Sequence, residues 1–319
     1  MQIVVVAGGA GFIGSYLCNS LVSDGYKVIC IDNLITGDKS NIKKLVDNPG
    51  FEFLEKDVTK IQNSDLGIQN LDFIFHLASP ASPNKKSKRS YINYPIETML
   101  VNSIGTYNLL EIAKTHRAKF LFASSSEIYG DPMVSPQKED YWGNVNPNGL
   151  RSVYDEGKRF GEALTMAYVR KNKINARIVR IFNTYGPNMQ KDDGRVVSNF
   201  IDQAINNTAI TIYGDGSQTR SFCYVDDMVE GLKKAMFLER TEAEVFNLGN
   251  PNERTILELA NLVKQMIGSS SKIIFEELPE DDPKSRKPDI SKAKNFLDWE
   301  AKFDIEEGLK KTIDYFKGK

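Results

Sequence analysis

Gln2 to Leu17 reads QIVVVAGGAGFIGSYL, and the order of its parts sets the fold. The apolar, β-branched run ending at Ala7 reads as a strand buried on both faces. Gly8, Gly11 and Gly14 follow three apart, and Phe12, Ile13, Tyr16, Leu17 and Leu21 then mark the stripe of a helix that stops at Asp24 and Gly25. Strand, glycine turn and helix in that order make a phosphate cradle. Glycines let the backbone come close to a pyrophosphate, and the free amides at the helix start stabilise its charge. A glycine triplet can also be purely steric, so the assignment rests on its surroundings.

A second apolar run, Tyr26 to Ile31, ends at Asp32, where a dinucleotide fold puts a carboxylate on the adenosine ribose. That carboxylate would repel a 2′-phosphate, so NAD is expected over NADP; the plainer reading of Asp32 is a loop cap. Phe51 to Lys56 reads as a third strand, ending at Asp57 and Val58. Leu71 to His76 reads as a fourth, running into Leu77, Ala78 and Ser79, with His76 packed in the strand. Lys119 to Ala123 and Ile174 to Ile181 complete the set, separated by a long helix from Glu97 to His116 and a helix carrying Tyr154. Strands alternating with helices predict a Rossmann-type, doubly wound parallel α/β sheet with ligands across the carboxyl ends of its strands.

Between the fourth strand and the next helix, Asn84 to Ser90 (NKKSKRS) reads as a solvated charged loop, or else as a lid presenting Lys85, Lys86, Lys88 or Arg89 to an anion. Residues 130–151 are rich in Pro, Gly and Asn and form an irregular excursion. Past Asn183 the elements shorten, and Thr255 with Glu258 makes a capping box. The expected organisation is a dinucleotide domain over 1–182 with 217–250 interleaved, and a smaller α/β substrate lobe from 183–216 and 251–319.

The chemistry concentrates between Ala123 and Lys158. ASSSEIYG closes the fifth strand with Ser124, Ser125 and Ser126, and YDEGK puts Tyr154 and Lys158 four apart on one helix face. An ammonium beside a phenol favours the phenolate, a general base, and a serine hydroxyl can hold the substrate oxygen as its proton leaves. The spacing alone is weak: Tyr315 and Lys319 repeat it at the C-terminus, where fraying makes chemistry implausible. What sets Tyr154 and Lys158 apart is the cradle upstream and the serines beside them.

Bulk properties exclude other classes. Forty-one basic against forty-two acidic side chains leave a formal charge of −1, with no global field for nucleic acid or anionic membrane. Cys18, Cys30 and Cys223 are scattered among apolar residues, and only His76 and His116 are present, so buried thiols and no metal are expected. The chain enters QIVVVA directly and has no spanning run, which points to a cytoplasmic protein.

GGAGFIGS, HLASPASP, SSSEIYGDP, EDYWGNVNP, YDEGKR, RIFNTYGP, DGRVVSNF, GSQTRSF, NLGNP and DDPKSRKPDI together cover nearly the whole chain, and with them it resembles the extended short-chain dehydrogenase/reductases, most closely the UDP-glucuronic acid decarboxylase family. Its departures are the longer NKKSKRS loop and YINYPIE. The resemblance implies NAD along Gly8, Gly11, Phe12, Ile13, Gly14, Asp32, Asn33, Thr36, Asp57, Val58, Leu77, Ala78, Ser79, Tyr154 and Lys158. It implies a UDP-sugar held by Glu127, Asn183, Val197, Tyr213, Arg220 and Arg286, with both arginines facing the diphosphate and Tyr213 stacking on uracil. Catalysis would fall to Ser125, Ser126, Glu127, Tyr154 and Lys158, in a homodimer built from the helices around Leu100 and Tyr168. Related 4,6-dehydratases carry an Asp where this chain has Ser126, and an alcohol is a far weaker acid, so loss of carbon dioxide fits better than loss of water. The alternatives are a UDP- or dTDP-sugar 4,6-dehydratase or 4-epimerase, and a non-catalytic NAD-binding regulator.

Overall fold

A computed structural model describes residues 1–278, 283 and 285–318. Six strands lie in one parallel sheet: β1 (Ile3–Ala7), β2 (Lys27–Asp32), β3 (Phe51–Glu55), β4 (Phe73–His76), β5 (Lys119–Ser125) and β6 (Ala176–Ile181). A seventh, Val245–Leu248, pairs in parallel with β6, giving the order β3, β2, β1, β4, β5, β6, Val245–Leu248. Val4, Val5, Val6 and Ala7 are fully buried, which is why β1 shows no polar alternation: helices cover both faces of the sheet. The order reverses between β1 and β4, where Ala7 pairs with His76, and a crevice opens at their carboxyl ends.

Helix α1 (Phe12–Ser23) starts from Gly11 and carries the glycine turn. The helix expected over 97–116 is interrupted. Pro95–Leu100 and Thr106–His116 are α-helical, and Val101–Gly105 between them is a π-turn. The wider turn gives side chains new partners: Asn102 Nδ2 donates to Ser79 Oγ at 2.9 Å, and Thr106 Oγ1 donates to Asn102 O at 2.8 Å. β5 runs two residues past its expected end, because Ser124 and Ser125 keep pairing with Arg180 and Ile181. The ladder carries the Ser125 hydroxyl to the crevice.

Beyond β6 the chain builds smaller units. Ile210–Tyr213 pairs with Ile273–Glu276, and Thr219–Ser221 is flanked by Glu253–Thr255 and Ser285–Arg286. Thr255 and Glu258 form the capping box of helix Ile256–Ile267, whose inner face buries Leu259, Ala260 and Val263. One apolar cluster runs from Val4 and Phe75 through Val225 and Met228 to Leu259 and Leu309, so the smaller units share the sheet's core.

The basic loop is not the freely solvated segment that its composition implies. Ser82, Ser87 and Ser90 are buried, and Asn93 Nδ2 donates to Lys85 O at 3.0 Å and to Ser87 O at 2.8 Å. Those backbone ties fold the loop onto the protein while Lys85, Lys86 and Lys88 stay exposed.

Candidate active site

Three connected cavities follow the crevice. One, of about 120 Å³, is lined by Gly8, Gly11, Asp32, Asn33, Thr36, Asp57, Val58, Leu77, Ala78 and Ser79. The next, of about 230 Å³, adds Phe12, Ile13, Gly14, Ser125, Ser126, Glu127, Tyr154, Lys158 and Asn183. The third, of about 640 Å³, lies between the sheet and the smaller units and is lined by Glu127, Arg151, Asn183, Val197, Tyr213, Arg220 and Arg286 among others. Every residue expected to hold NAD or the UDP-sugar or to take part in catalysis thus borders one of the three, whereas Lys88 of the basic loop borders none. Lys319, the partner of Tyr315 in the repeated spacing, lies outside the described residues, as do residues 281, 282 and 284 of DDPKSRKPDI.

The glycine turn leaves no room for side chains. Gly8 has φ +82° and a Cβ there would meet Ala78 N at 2.6 Å; at Gly14 it would meet Gly8 O at 2.1 Å. Asp32, 8% exposed, accepts Ala10 N at 3.0 Å and Leu34 N at 2.9 Å. It caps the loop and also faces the smallest cavity, so the two readings of this residue are compatible. Burial raises its pKa, with those two amides opposing the shift. Asn33 Nδ2 donates to Asp57 Oδ2 at 3.2 Å, joining the ends of β2 and β3.

At the end of β5 the three serines diverge. Ser124 Oγ donates to Glu162 Oε1 at 2.6 Å, and Glu162 also receives Arg180 Nε and Nη2 at 2.9 Å each, so Ser124 is spent on structure. Ser125 Oγ accepts Glu127 N at 3.2 Å, and Ser126 Oγ accepts Arg286 Nη1 at 3.0 Å. Glu127 is clamped between Arg151, on Oε2, and Arg286, whose Nη1 lies 3.1 Å from Oε1. Burial opposes its charge, but the Arg151 and Arg286 guanidiniums outweigh it and hold the carboxyl down at about 2. Glu127 is therefore an anion that accepts hydrogen bonds and carries no proton of its own.

Tyr154 is 6% exposed and stacks on Tyr91 with centroids 4.9 Å apart. Burial pushes its phenol up, against the hydrogen bond with Ser125. Lys158 is buried too; its Nζ donates to Ala123 O at 2.8 Å and sits 5.6 Å from the Tyr154 ring centroid. Burial brings this ammonium down to about 7, with Glu162 opposing the shift. In the protein alone burial thus dominates both members of the pair. His76, fully buried with Nε2 3.1 Å from Thr106 Oγ1, packs in its strand.

Arg286 lines the largest cavity with Arg220 and also reaches the end of β5. Its guanidinium is 2% exposed and faces Ser126, Glu127 and the Gly130 carbonyl, with Nε buried and unpartnered among the described residues. Arg220 lines the larger cavity, donating to Thr219 O at 2.8 Å and Pro283 O at 2.6 Å. Sequence reading passed over Arg151, Tyr91 and Asp155. Arg151 left one signal: it is the residue before the first turn of helix Ser152–Asn172, where a cation opposes the helix dipole and needs another reason to be there.

A parallel sheet with a glycine turn, a carboxylate after β2 and a Ser-Tyr-Lys cluster at its crevice defines an enzyme of the dehydrogenase/reductase type. A sequence profile of the NAD dependent epimerase/dehydratase family matches residues 4–249, and the chain belongs to that family. UDP-glucuronic acid decarboxylase 1 of Arabidopsis thaliana is 51% identical over 316 residues, 99% of this chain and 70% of that protein. UDP-glucuronic acid decarboxylase 1 of Danio rerio is 49% identical over 313 residues, 98% of this chain and 72% of that one. UDP-glucuronic acid 4-epimerase from Bacillus cereus, solved with UDP-glucuronic acid and NAD, has the same fold at a TM-score of 0.88 and 30% identity, covering 99% of each chain.

Proposed function

We propose that the chain is a carboxy-lyase that converts UDP-glucuronate to UDP-xylose and carbon dioxide with NAD as a regenerated cofactor. The observation that carries this is the contact of Arg286 with Ser126 and Glu127: a hydroxyl held by a guanidinium occupies the position of the dehydratase Asp, and the Arg286 Nε beside it is buried and unpartnered among the described residues. A buried guanidinium suits a sugar carboxylate and cannot act as the acid that dehydration needs. Relatives near half identity over almost the whole chain support the same activity.

The glycine turn, closed to any Cβ, and the carboxylate of Asp32 fit a dinucleotide in the two smaller cavities. NAD, when bound, supplies the hydride acceptor for C4, the donor for its return, and a positive charge beside the Tyr154 phenol. Tyr154 takes the proton of the C4 hydroxyl, Ser125 holds that oxygen, and Lys158 steadies the phenolate. Arg286 orients the C6 carboxylate; once C4 is a ketone, this β-keto acid loses carbon dioxide without a leaving hydroxyl to protonate. Glu127, kept anionic by its two arginines, orients a water that delivers the proton to C5 and is re-protonated from solvent, which supplies the one proton the overall reaction consumes. Tyr154 then returns its proton to the C4 oxygen as UDP-xylose forms. Tyr213, Val197, Asn183 and Arg220 line the largest cavity, which would take the nucleotide, and the Arg220 fork suits its phosphate oxygens.

A homodimer in a reducing cytoplasm completes the reading. Ile96, Leu100, Ile104 and Tyr107 leave a stripe 65%, 38%, 45% and 49% exposed, which a second copy would cover. Tyr168 is 9% exposed and bonded to Glu111 Oε1 at 2.5 Å, so it supports that stripe from behind. The three cysteines are free and buried, and no helix among the described residues could cross a membrane. Incubation with UDP-glucuronate labelled at C6 tests the activity: labelled carbon dioxide and UDP-xylose are expected, and UDP-galacturonate without release of label would overturn it.

A further inference from the structure

Arg89 belongs to the basic loop that the proposed chemistry leaves unused, and its side chain borders the same cavity as Gly11, Phe12 and Thr36. Its Nη1 donates to Thr36 O and reaches Gly37 O at 3.4 Å, on the loop after β2. From the same guanidinium, Nε lies 3.4 Å from Asp192 Oδ1 and Nη2 3.9 Å from Asp38 Oδ2. The side chain thus ties together three chain segments that are far apart in sequence. Two carboxylates share its charge, which argues against a phosphate ligand and for a mechanical tie.

The loop is braced at its base. Ser82 Oγ donates to the Asp193 carbonyl and Asn84 Nδ2 to Gly194 O at 3.4 Å, while Lys86 Nζ reaches Glu276 Oε2 at 3.4 Å at the far end. A second tie runs alongside: Gln190 Nε2 donates to Asp38 Oδ2 at 3.3 Å. Segment 188–195 is therefore fastened to the loop after β2 across the cofactor-side cavity. Nothing about this fastening stabilises the sugar or moves a proton. It closes a mouth.

We propose that Arg89 is a latch that retains NAD in its cavity through the catalytic cycle. The inference rests on the reading of that cavity as the NAD site and gives the closure a purpose. A hydride removed from C4 must return to the same carbon, so loss of reduced cofactor between the two transfers would strand a 4-keto pentose. A tie of three segments through one fork slows that loss without touching the reacting atoms.

The test uses the full chain, stripped of nucleotide and reloaded with NAD, and reads cofactor release after rapid dilution by separating free from bound NAD. Arg89→Ala should release NAD at least tenfold faster than the parent, and Lys88→Ala, on the exposed part of the same loop, should release it at the parent rate. Arg89→Lys and Asp192→Asn should fall between, and they carry the test if Arg89→Ala does not fold. With UDP-glucuronate, Arg89→Ala should also shed UDP-4-keto-pentose together with an equal amount of NADH. Equal release rates for Arg89→Ala and parent would overturn the proposal, as would equal acceleration by Lys88→Ala. A parent chain that holds NAD but liberates no carbon dioxide would remove the decarboxylase reading alone, since NAD release would still judge the latch.

Discussion

Arg286 Nη1 donates to Ser126 Oγ at 3.0 Å and lies 3.1 Å from Glu127 Oε1, joining residues 160 positions apart at the end of β5. Both side chains of the pair are largely removed from water, 2% and 20% exposed. Deleting Arg286 leaves the buried Glu127 carboxylate with Arg151 alone, a loss bounded by the roughly 3 kcal/mol of breaking a buried pair outright. Arg286→Ala should therefore lower the melting temperature and cut kcat/KM for UDP-glucuronate by about a hundredfold or more. Arg286→Ala with Glu127→Gln, which removes the stranded carboxylate charge but keeps an acceptor for Arg151, should recover part of the stability and none of the activity. Thermal melts with carbon dioxide release separate the two effects; a single variant that melts like the parent would show that the pair is not desolvated.

Lys158 gives a prediction with a definite sign. Burial lowers its pKa from the ordinary 10.5 to about 7 in the cofactor-free protein. Between those values the unfolded chain binds more protons than the folded one, so stability rises with pH, and the cost of burying the ammonium is fullest below pH 7. Lys158→Met should abolish turnover yet raise the melting temperature of the cofactor-free chain by a few degrees at pH 6 and by less at pH 9. A gain that does not change with pH would mean that the lysine is not titrating in this range.

The parts of the fold and site that could be read from sequence are those written in local pattern. The β1 run, the glycine spacing and Asp32 are contiguous, and so is the Ser126–Glu127 pair. The π-turn at Val101–Gly105 is hidden because its apolar spacing matches an ordinary helix, and Asn102 reaching Ser79 is a contact that spacing does not report. The docking of NKKSKRS was hidden because composition reports charge and not the backbone ties from Asn93. Arg286 could be named as a binding residue, but its place beside Ser126 depends on Ser285–Arg286 pairing with Thr219–Ser221, a long-range register that no local signal encodes. Arg151 and Tyr91 join the site in the same way, through contacts with Glu127 and Tyr154.

Asp155 stands beside Tyr154 with Oδ1 buried and without a partner among the described residues. Burial, reinforced by the negative charge of Glu127, pushes its carboxyl up to about 8, against Arg151 and Arg286. The raised value means that stability is fullest below the unfolded carboxyl range and falls as pH climbs toward 8, because the unfolded chain releases its proton first. Asp155→Asn mimics the neutral acid. It should leave the melting temperature unchanged near pH 4 and raise it by a few degrees at pH 8. Melts across that range check the slope; a parent chain that is as stable at pH 8 as at pH 5 relative to the variant would refute the neutral carboxyl.

Asp32 should decide which dinucleotide the protein takes. Its two oxygens already accept Ala10 N and Leu34 N at 3.0 and 2.9 Å, which fixes the carboxylate at the edge of the smallest cavity, and the remaining lone pairs suit a ribose diol. A 2′-phosphate would meet that buried negative charge in a cavity of only about 120 Å³, with Asp57 on the same wall and no lysine lining it except Lys56. NAD should therefore bind at least a hundredfold more tightly than NADP. Asp32→Ala should weaken NAD roughly tenfold or more, since both the diol contact and the loop cap are lost, while NADP loses only a repulsion; the ratio between the two narrows. Calorimetric titration of the stripped chain with each nucleotide measures the ratio directly. A parent protein that prefers NADP, or an alanine variant with the parent's ratio, would take Asp32 out of cofactor recognition and leave it as the cap of its own loop.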